Sequence, residues 1–238
     1  MKISILTACC NCAPYIDNCI NSVLRQNYEK WEMLILEDKS TDKSSKIIRK
    51  YTSDTRIKMI EVKKKLFCGA AYNYLSKLAM GEISCVLDAD DALLPHSMIS
   101  LIDVYNRTSA DYVYTQFLIC NKAKLKKIKK GWSCIPPKGQ SFLDTKHAFS
   151  HWRTYKTSMR ERADIFPTEY KRAVDKWMGY ALEEVGRGVF YNKVLYLYRE
   201  RNAGHSVFSK KCLSKIRKKF INRRQNLNIQ PIPVIEYK

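Results

Sequence analysis

The sequence predicts an α/β fold with a mostly parallel, doubly wound sheet. Three observations carry that expectation. Short apolar runs with strand character alternate with segments of helical spacing through the first hundred residues. The joints between them carry turn and cap chemistry, as at Asn11 and Pro14, Ser40 to Asp42, and Gly81-Glu82. One run, residues 83–87, delivers Asp88, Asp90 and Asp91 together at its C-terminal end, where open α/β sheets bind ligands.

Taken in order, residues 2–8 (Lys-Ile-Ser-Ile-Leu-Thr-Ala) form the first predicted strand, followed by a loop through Asn11-Cys12-Ala13-Pro14-Tyr15. Residues 15–26 have helical spacing, with Ile16, Ile20, Val23 and Leu24 on one face. A second strand, residues 31–36, ends in Glu37-Asp38-Lys39-Ser40-Thr41-Asp42, where Ser40 or Thr41 can cap the helix carrying Ile47 and Ile48. Residues 57–62 form a third strand. Residues 69–78 are a loop and helix leading to the carboxylate strand. Further on, Asp175 heads a helix with Met178, Ala181, Leu182 and Val185 at helical spacing, ended by Gly186.

Three crowded carboxylates repel one another unless a cation or hydrogen-bond donors compensate. Hard oxygen ligands suit Mg²⁺ or Mn²⁺, ions that commonly bridge a diphosphate. The plainer alternative is a strand end followed by a turn and a helix cap.

The ordered set resembles a family. A strand with an Asn loop, a strand with Glu37-Asp38-Lys39-Ser40-Thr41-Asp42, Gly69-Ala70-Ala71-Tyr72-Asn73, Gly81-Glu82-Ile83 and Val86-Leu87-Asp88-Ala89-Asp90-Asp91 are similar to the nucleotide-sugar glycosyltransferases of the GT-A fold, a Rossmann-like fold, and especially to inverting family 2. The likeness is dense over residues 2–100. It resumes at residues 172–206 with Ala173-Val174-Asp175-Lys176-Trp177 and a closing strand Val194-Leu195-Tyr196-Leu197-Tyr198-Arg199. The resemblance implies a UDP-sugar donor, Mn²⁺ or Mg²⁺, and an acceptor-side α+β extension. It sets Thr7, Asn11, Asp38, Gly69, Asn73 and Asp88 at the nucleotide, with Asp38 accepting from the uracil N3–H, a group that cytosine lacks and thymine retains, so that a dTDP-sugar is the alternative donor. It implies Asp90 as metal ligand, Asp88 on ribose or metal-bound water, and His205 as a C-terminal metal ligand. Asp175 would be the base that deprotonates the acceptor hydroxyl. His151 and Arg153, with Tyr155 and Lys156, resemble an acceptor-side or diphosphate-side segment; the alternative is a loop packed by Trp152 and anchored by Arg153.

Several positions depart from the family pattern. The first loop reads Ala8-Cys9-Cys10-Asn11-Cys12. Val174 stands where the family has Glu. Tyr72 stands where it often has Arg, so a donor-side cation must come from Lys64, Lys65 or a later Arg. His205 is further from the closing strand than usual.

The nine cysteines form no paired zinc spacing and no disulfide framework, which together with the absence of a signal peptide favours a reducing, cytoplasmic setting. No apolar run is long enough to span a bilayer. The expected organisation is a donor-binding half over residues 1–110, an acceptor half with the base over 111–206, and a basic amphipathic helix and tail over 207–238.

The formal net charge is +20, and it is uneven: residues 1–120 carry 15 Lys/Arg against 14 Asp/Glu, residues 121–238 carry 28 against 9. Six lysines fall in residues 122–130, read as a hairpin or loop. Eight Lys/Arg fall in residues 210–224 around Leu213, Ile216 and Phe220. Such a surface attracts polyanions. An anionic membrane, with the protein peripheral on its inner face and a lipid-linked or other glycan as acceptor, is one candidate. Nucleic acid is the other, which would make this a DNA-modifying transferase. A non-catalytic nucleotide-sugar-binding relative is the third reading.

Overall fold

The computed structural model describes residues 1–121, 124–145, 148–171, 173–200 and 210–237. The first half alternates as expected: β1 (Ile3–Cys9), α1 (Ile16–Leu24), β2 (Trp31–Glu37), α2 (Ser44–Arg49), β3 (Ile57–Glu61), α3 (Phe67–Leu78), β4 (Ile83–Val86) and β5 (Ala92–Leu93). Then come α4 (Ser97–Arg107), β6 (Tyr112–Asn121), β7 (Lys124–Lys130), β8 (Arg153–Lys156) and a 3-10 turn (Thr157–Glu161). The chain continues through α5 (Val174–Glu183), β9 (Gly188–Glu200), α6 (Lys210–Leu227) and β10 (Ile235–Tyr237).

Among the described residues ten strands form one sheet in the order β10-β9-β6-β8-β4-β1-β2-β3, with β5 beside β9 and β7 beside β6. The β4-β1-β2-β3 block is parallel throughout, as are β6 with β9 and β9 with β10. In this block β1, β2 and β4 are buried almost along their whole length because helices cover both faces, whereas the edge strand β3 is partly exposed. Ile16, Ile20, Val23, Met98 and Leu101 pack on one face, from α1 and α4. Leu75, Trp177, Met178, Ile216 and Phe220 pack on the other, from α3, α5 and α6. The doubly wound expectation holds. The predicted strands of the first half match to within a residue or two at their ends, whereas the closing strand, expected over residues 194–199, begins six residues earlier, at Gly188.

Two elements differ from the sequence reading. The segment after His151, for which a packed loop was the alternative reading, is a strand. β8 pairs antiparallel with both β4 and β6 and so joins the two halves of the sheet. Its sequence, Arg-Thr-Tyr-Lys, has no apolar run to announce a central strand; Arg153, Thr154 and Tyr155 are buried through tertiary partners instead. The second difference is α6. Its apolar stripe is spent inside the protein: Ile216 and Phe220 are buried, and the Phe220 ring packs against Trp177 and Tyr180. Burial of two such side chains favours docking on the body by about 1.5–3 kcal/mol each, which removes the face that membrane insertion would use. Phe208 lies outside the described residues.

At α2, Asp42 rather than Ser40 or Thr41 holds the first turn, accepting from the Ser44 amide and hydroxyl. The other two are spent elsewhere. The Asn11 amide donates to the Ser40 hydroxyl, and the Asn11 side-chain carbonyl accepts from Thr41.

Candidate active site

The C-terminal ends of β1, β2 and β4 open into a cavity of about 580 Å³, closed on the far side by the start of α5 and by β8 and β9. Its size suits a small ligand. Asp38, Asp88, Asp90, Asp91 and Asp175 line it, together with Lys65, Arg153, Lys171 and Arg199. The residues named in the strand-end cluster and the candidate base, 84 or more positions apart in the chain, share one wall-to-wall space.

Asp88 is held by two protein donors. Tyr72 donates its hydroxyl to one carboxylate oxygen and Arg153 its guanidinium to the other, each at 2.7 Å. Burial raises the Asp88 pKa, but the Arg153 charge and the hydrogen bonds outweigh it and hold the carboxyl below its ordinary value. Tyr72 therefore does not replace the missing cation; Arg153 and Lys65 bring cations to the cavity, and Lys64 does not line it. The Lys65 ammonium sits 3.1 Å from the Cys10 sulfur.

Asp91 is 1% exposed and accepts from the Tyr196 hydroxyl and the Arg199 amide, both at 2.8 Å. Burial, then Asp90 and Asp88, push its pKa well up, against those two bonds. Tyr196 also accepts from the Asp88 amide, so one phenol ties both ends of the acidic turn to β9. His151 stacks on Tyr196 and Tyr198, with ring centroids 4.7 and 5.0 Å apart. Its Nδ1 is buried without a hydrogen-bond partner. Burial, and then the neighbouring Arg153, push the imidazole down to about 3, so it is neutral at physiological pH.

Ligand atoms of Asp88, Asp91 and His151 lie within 4.8 Å of one another. Two carboxylates and a neutral imidazole with an orphaned ring nitrogen fit a divalent ion such as Mn²⁺. The sequence reading placed the ion on Asp90, Asp88 and His205. Asp90 lines the same cavity; His205 lies outside the described residues. The sequence reading left Asp91 out of that set and gave His151 to the acceptor or diphosphate side. The signal available for His151 was its place two residues before Arg153.

Asp38 is buried, and its two oxygens accept from the Leu66 and Phe67 amides at 2.6 and 2.9 Å. Phe67 has a left-handed φ of 63°, a conformation costly for a non-glycine residue, and the Asp38 bonds help hold it. Thr7 is fully buried in β1 with its hydroxyl unpartnered; the cavity wall begins at Ala8. Asn73 donates to the Phe166 carbonyl and ties α3 to the 166 segment. Gly69 meets that segment so closely that a Cβ would lie 2.0 Å from the Pro167 oxygen; only glycine fits there. Asp175 stands in the first turn of α5, after Ala173 at a left-handed φ of 59°. Both residues line the cavity.

The cysteines of the first loop form no cluster of three metal ligands among the described residues, and no disulfide joins any of the described cysteines. Among the described residues no helix is long and apolar enough to cross a membrane.

Comparison with known proteins agrees with the architecture. The chain is 27% identical to the hyaluronan synthase of Pasteurella multocida over 99% of its own length and 24% of that protein. It is 29% identical to the chondroitin synthase of Escherichia coli over 82% of its length and 28% of that protein. The chain thus spans about a quarter of these two relatives. Among solved structures, S. aureus TarS in complex with UDP superposes with a TM-score of 0.70 at 20% identity, covering 95% of this chain and 72% of that one. A Pyrobaculum calidifontis mannosyltransferase in complex with GDP-Man and Mn²⁺ superposes with a TM-score of 0.67 at 15% identity, covering 98% and 66%. These two likenesses carry the fold. The description "Glycosyl transferase family 2" matches residues 4–165, more than half of the chain, and the protein is therefore a member of glycosyl transferase family 2.

Proposed function

We propose that this chain is an inverting, metal-dependent glycosyltransferase that moves a sugar from a UDP-sugar to a hydroxyl of a glycan or lipid-linked glycan. The observation that carries the reading is the sharing of one cavity by the Asp88–Asp90–Asp91 turn, His151, Arg153 and Asp175. Residues 1–110 would bind the donor, residues 111–206 the acceptor, and residues 207–238 would brace the acceptor side. Asp38 and the loop tied by Asn11 would face the base and ribose, and UDP in the TarS complex supports that donor class.

In the reaction, the Asp175 carboxylate takes the proton of the acceptor hydroxyl. The acceptor oxygen forms a bond to the anomeric carbon as the bond to the diphosphate oxygen breaks, and UDP leaves with the electron pair. Arg153 and Lys65 stabilise the negative charge that grows on the diphosphate. Asp88, Asp90, Asp91 and His151 would hold Mn²⁺ or Mg²⁺, whose chemistry here is charge neutralisation on the leaving group. Asp88 also fixes Arg153, so loss of either residue disturbs the other.

A thermal-shift panel of nucleoside diphosphates with and without Mn²⁺, followed by product detection, tests the reading. UDP with Mn²⁺ should stabilise most. No stabilisation by any nucleoside diphosphate would overturn it.

A further inference from the structure

We propose that Tyr196 is the positioning residue of the metal site: its phenol holds Asp88, Asp91 and His151 in the arrangement that receives a divalent ion, before any ion binds. This rests on the metal-dependent reading of the cavity, and it adds a residue that stands outside the cavity wall. The ligand-bearing residues come from separate parts of the chain. Asp88 and Asp91 belong to the turn after β4, and His151 follows 60 positions later. Tyr196 touches all three.

The phenol oxygen and the phenol ring do different things. The hydroxyl accepts from the Asp88 amide at 3.2 Å and donates to the Asp91 carboxylate at 2.8 Å. The ring lies parallel to the His151 imidazole, 4.7 Å between centroids at 10°. Phe117 closes on the imidazole edge-on, at 5.2 Å and 79°, and Tyr198 stacks on it at 5.0 Å. Rings therefore set the plane of His151, and its buried Nδ1 keeps no hydrogen-bond partner.

Tyr196 is itself fixed. It is 0% exposed. In β9 it pairs with Phe117 of β6 on one side and with Leu93 of β5 on the other. β5 begins directly after Asp91, so the register that places Tyr196 also places the end of the acidic turn. The Leu94 amide extends that seam by donating to the Leu195 carbonyl at 3.0 Å.

Burial alone does not produce such contacts. Tyr112 is equally buried, and its hydroxyl finds no hydrogen-bond partner among the described residues. Tyr196 instead sets its one donor and one acceptor on the same acidic turn. Neighbouring carboxylates repel when no cation stands between them. The phenol proton on Asp91 offsets part of that repulsion, and the Asp88 amide bond limits rotation of the turn. Ligands ordered in advance bind without the entropy cost of ordering them, and loss of a group that orients a ligand lowers metal affinity by about 10–100-fold.

A Mn²⁺ titration followed by the electron paramagnetic resonance of the free ion reads affinity without turnover. Tyr196→Phe keeps the ring beside His151 and removes the hydroxyl. It should weaken Mn²⁺ by about 10–100-fold and leave stabilisation by UDP alone unchanged. At saturating Mn²⁺ its pulsed spectrum should retain the imidazole nitrogen coupling of the wild type, which His151→Ala should lose. Tyr105→Phe is the control for a merely structural loss: Tyr105 is 4% exposed, shares a 3.0 Å hydrogen bond with Thr154 and does not line the cavity. It should lower the thermal midpoint and keep Mn²⁺ affinity. Hydrogen exchange on the wild type needs no variant. The Asp88 amide should exchange slowly before Mn²⁺ is added and change little afterwards. The proposal is overturned if Tyr196→Phe binds Mn²⁺ as the wild type does, if Tyr105→Phe weakens it equally, or if the Asp88 amide is protected only once Mn²⁺ is bound. Failure of UDP to stabilise the wild type sinks the proposed function. A wild type that binds UDP and Mn²⁺, beside an unaffected Tyr196→Phe, sinks this inference alone.

Discussion

Around the cavity, the first 110 residues and the remainder order their polar groups by different means. In the first, acidic side chains are fastened by backbone amides and hydroxyls: Asp38 by Leu66 and Phe67, Asp42 by Ala13 and Ser44, Glu37 by Ser40. In the second, rings and ion pairs do the fastening. His151 is stacked by Tyr196 and Tyr198, and Arg224 of α6 is clamped by Glu183 and Glu184 at the end of α5. Loops fastened by their own amides suit a small invariant ligand such as a nucleotide. A basic, ring-lined surface suits a ligand that extends away from the protein.

If that contrast is right, the largest effect should come from the second half. Asp175→Asn is expected to lower turnover by about 10²–10⁴-fold while UDP still stabilises the protein; near-normal rates would move the base elsewhere. Arg224→Leu should cost about 3–5 kcal/mol in urea unfolding, because it removes the cation between two buried acids and leaves Glu183 with the Phe142 amide and Glu184 with Arg223. A loss below about 1 kcal/mol would mean that the clamp is relaxed in solution.

Changes at the strand-end cluster sharpen the first half of the comparison. Asp90→Asn and His151→Ala should each weaken Mn²⁺-supported UDP binding, on the order of 10–100-fold. Mn²⁺ dependence untouched by Asp90→Asn but lost with His151→Ala would shift the ion onto Asp88, Asp91 and His151. Asp38→Ala should cost about 1–3 kcal/mol through the freed Leu66 and Phe67 amides and relax discrimination between UDP and CDP. Stability loss with unchanged discrimination would leave Asp38 a purely structural acid.

The smallest effect concerns pH. Burial pushes Glu183 from 4.5 to about 7, against the Arg224 and Phe142 bonds. The folded state therefore holds a proton that the unfolded chain has lost between those values, and its contribution to stability is full below pH 4.5 and falls as pH rises through about 7. Glu183→Gln should flatten that slope in denaturation midpoints measured across the range; an unchanged slope would assign the proton to another group.

The parallel block and the acidic turn were legible because each is written in contiguous residues: an apolar run, then its ligands. The Asp88–Arg153 pair was legible only as two separate candidates, since no local pattern reports a contact between residues 65 positions apart. β8 was not foreseen as a strand for a related reason. Its burial comes from strands on either side, and tertiary context overrides weak local propensity. The apolar spacing of α6 was read correctly, but spacing alone cannot say whether protein or lipid covers the stripe.

The position of β8 also sets an order of events during synthesis. When β4 leaves the ribosome, one of its edges has β1 as partner, and the other waits for residues 153–156. At about 5–20 residues per second that edge stays open for several seconds, presenting the apolar backbone of residues 83–86 to any passing strand. Nascent chains arrested shortly after residue 110 should thus be aggregation-prone and retained by chaperones, and chains arrested after β8 has emerged should be released.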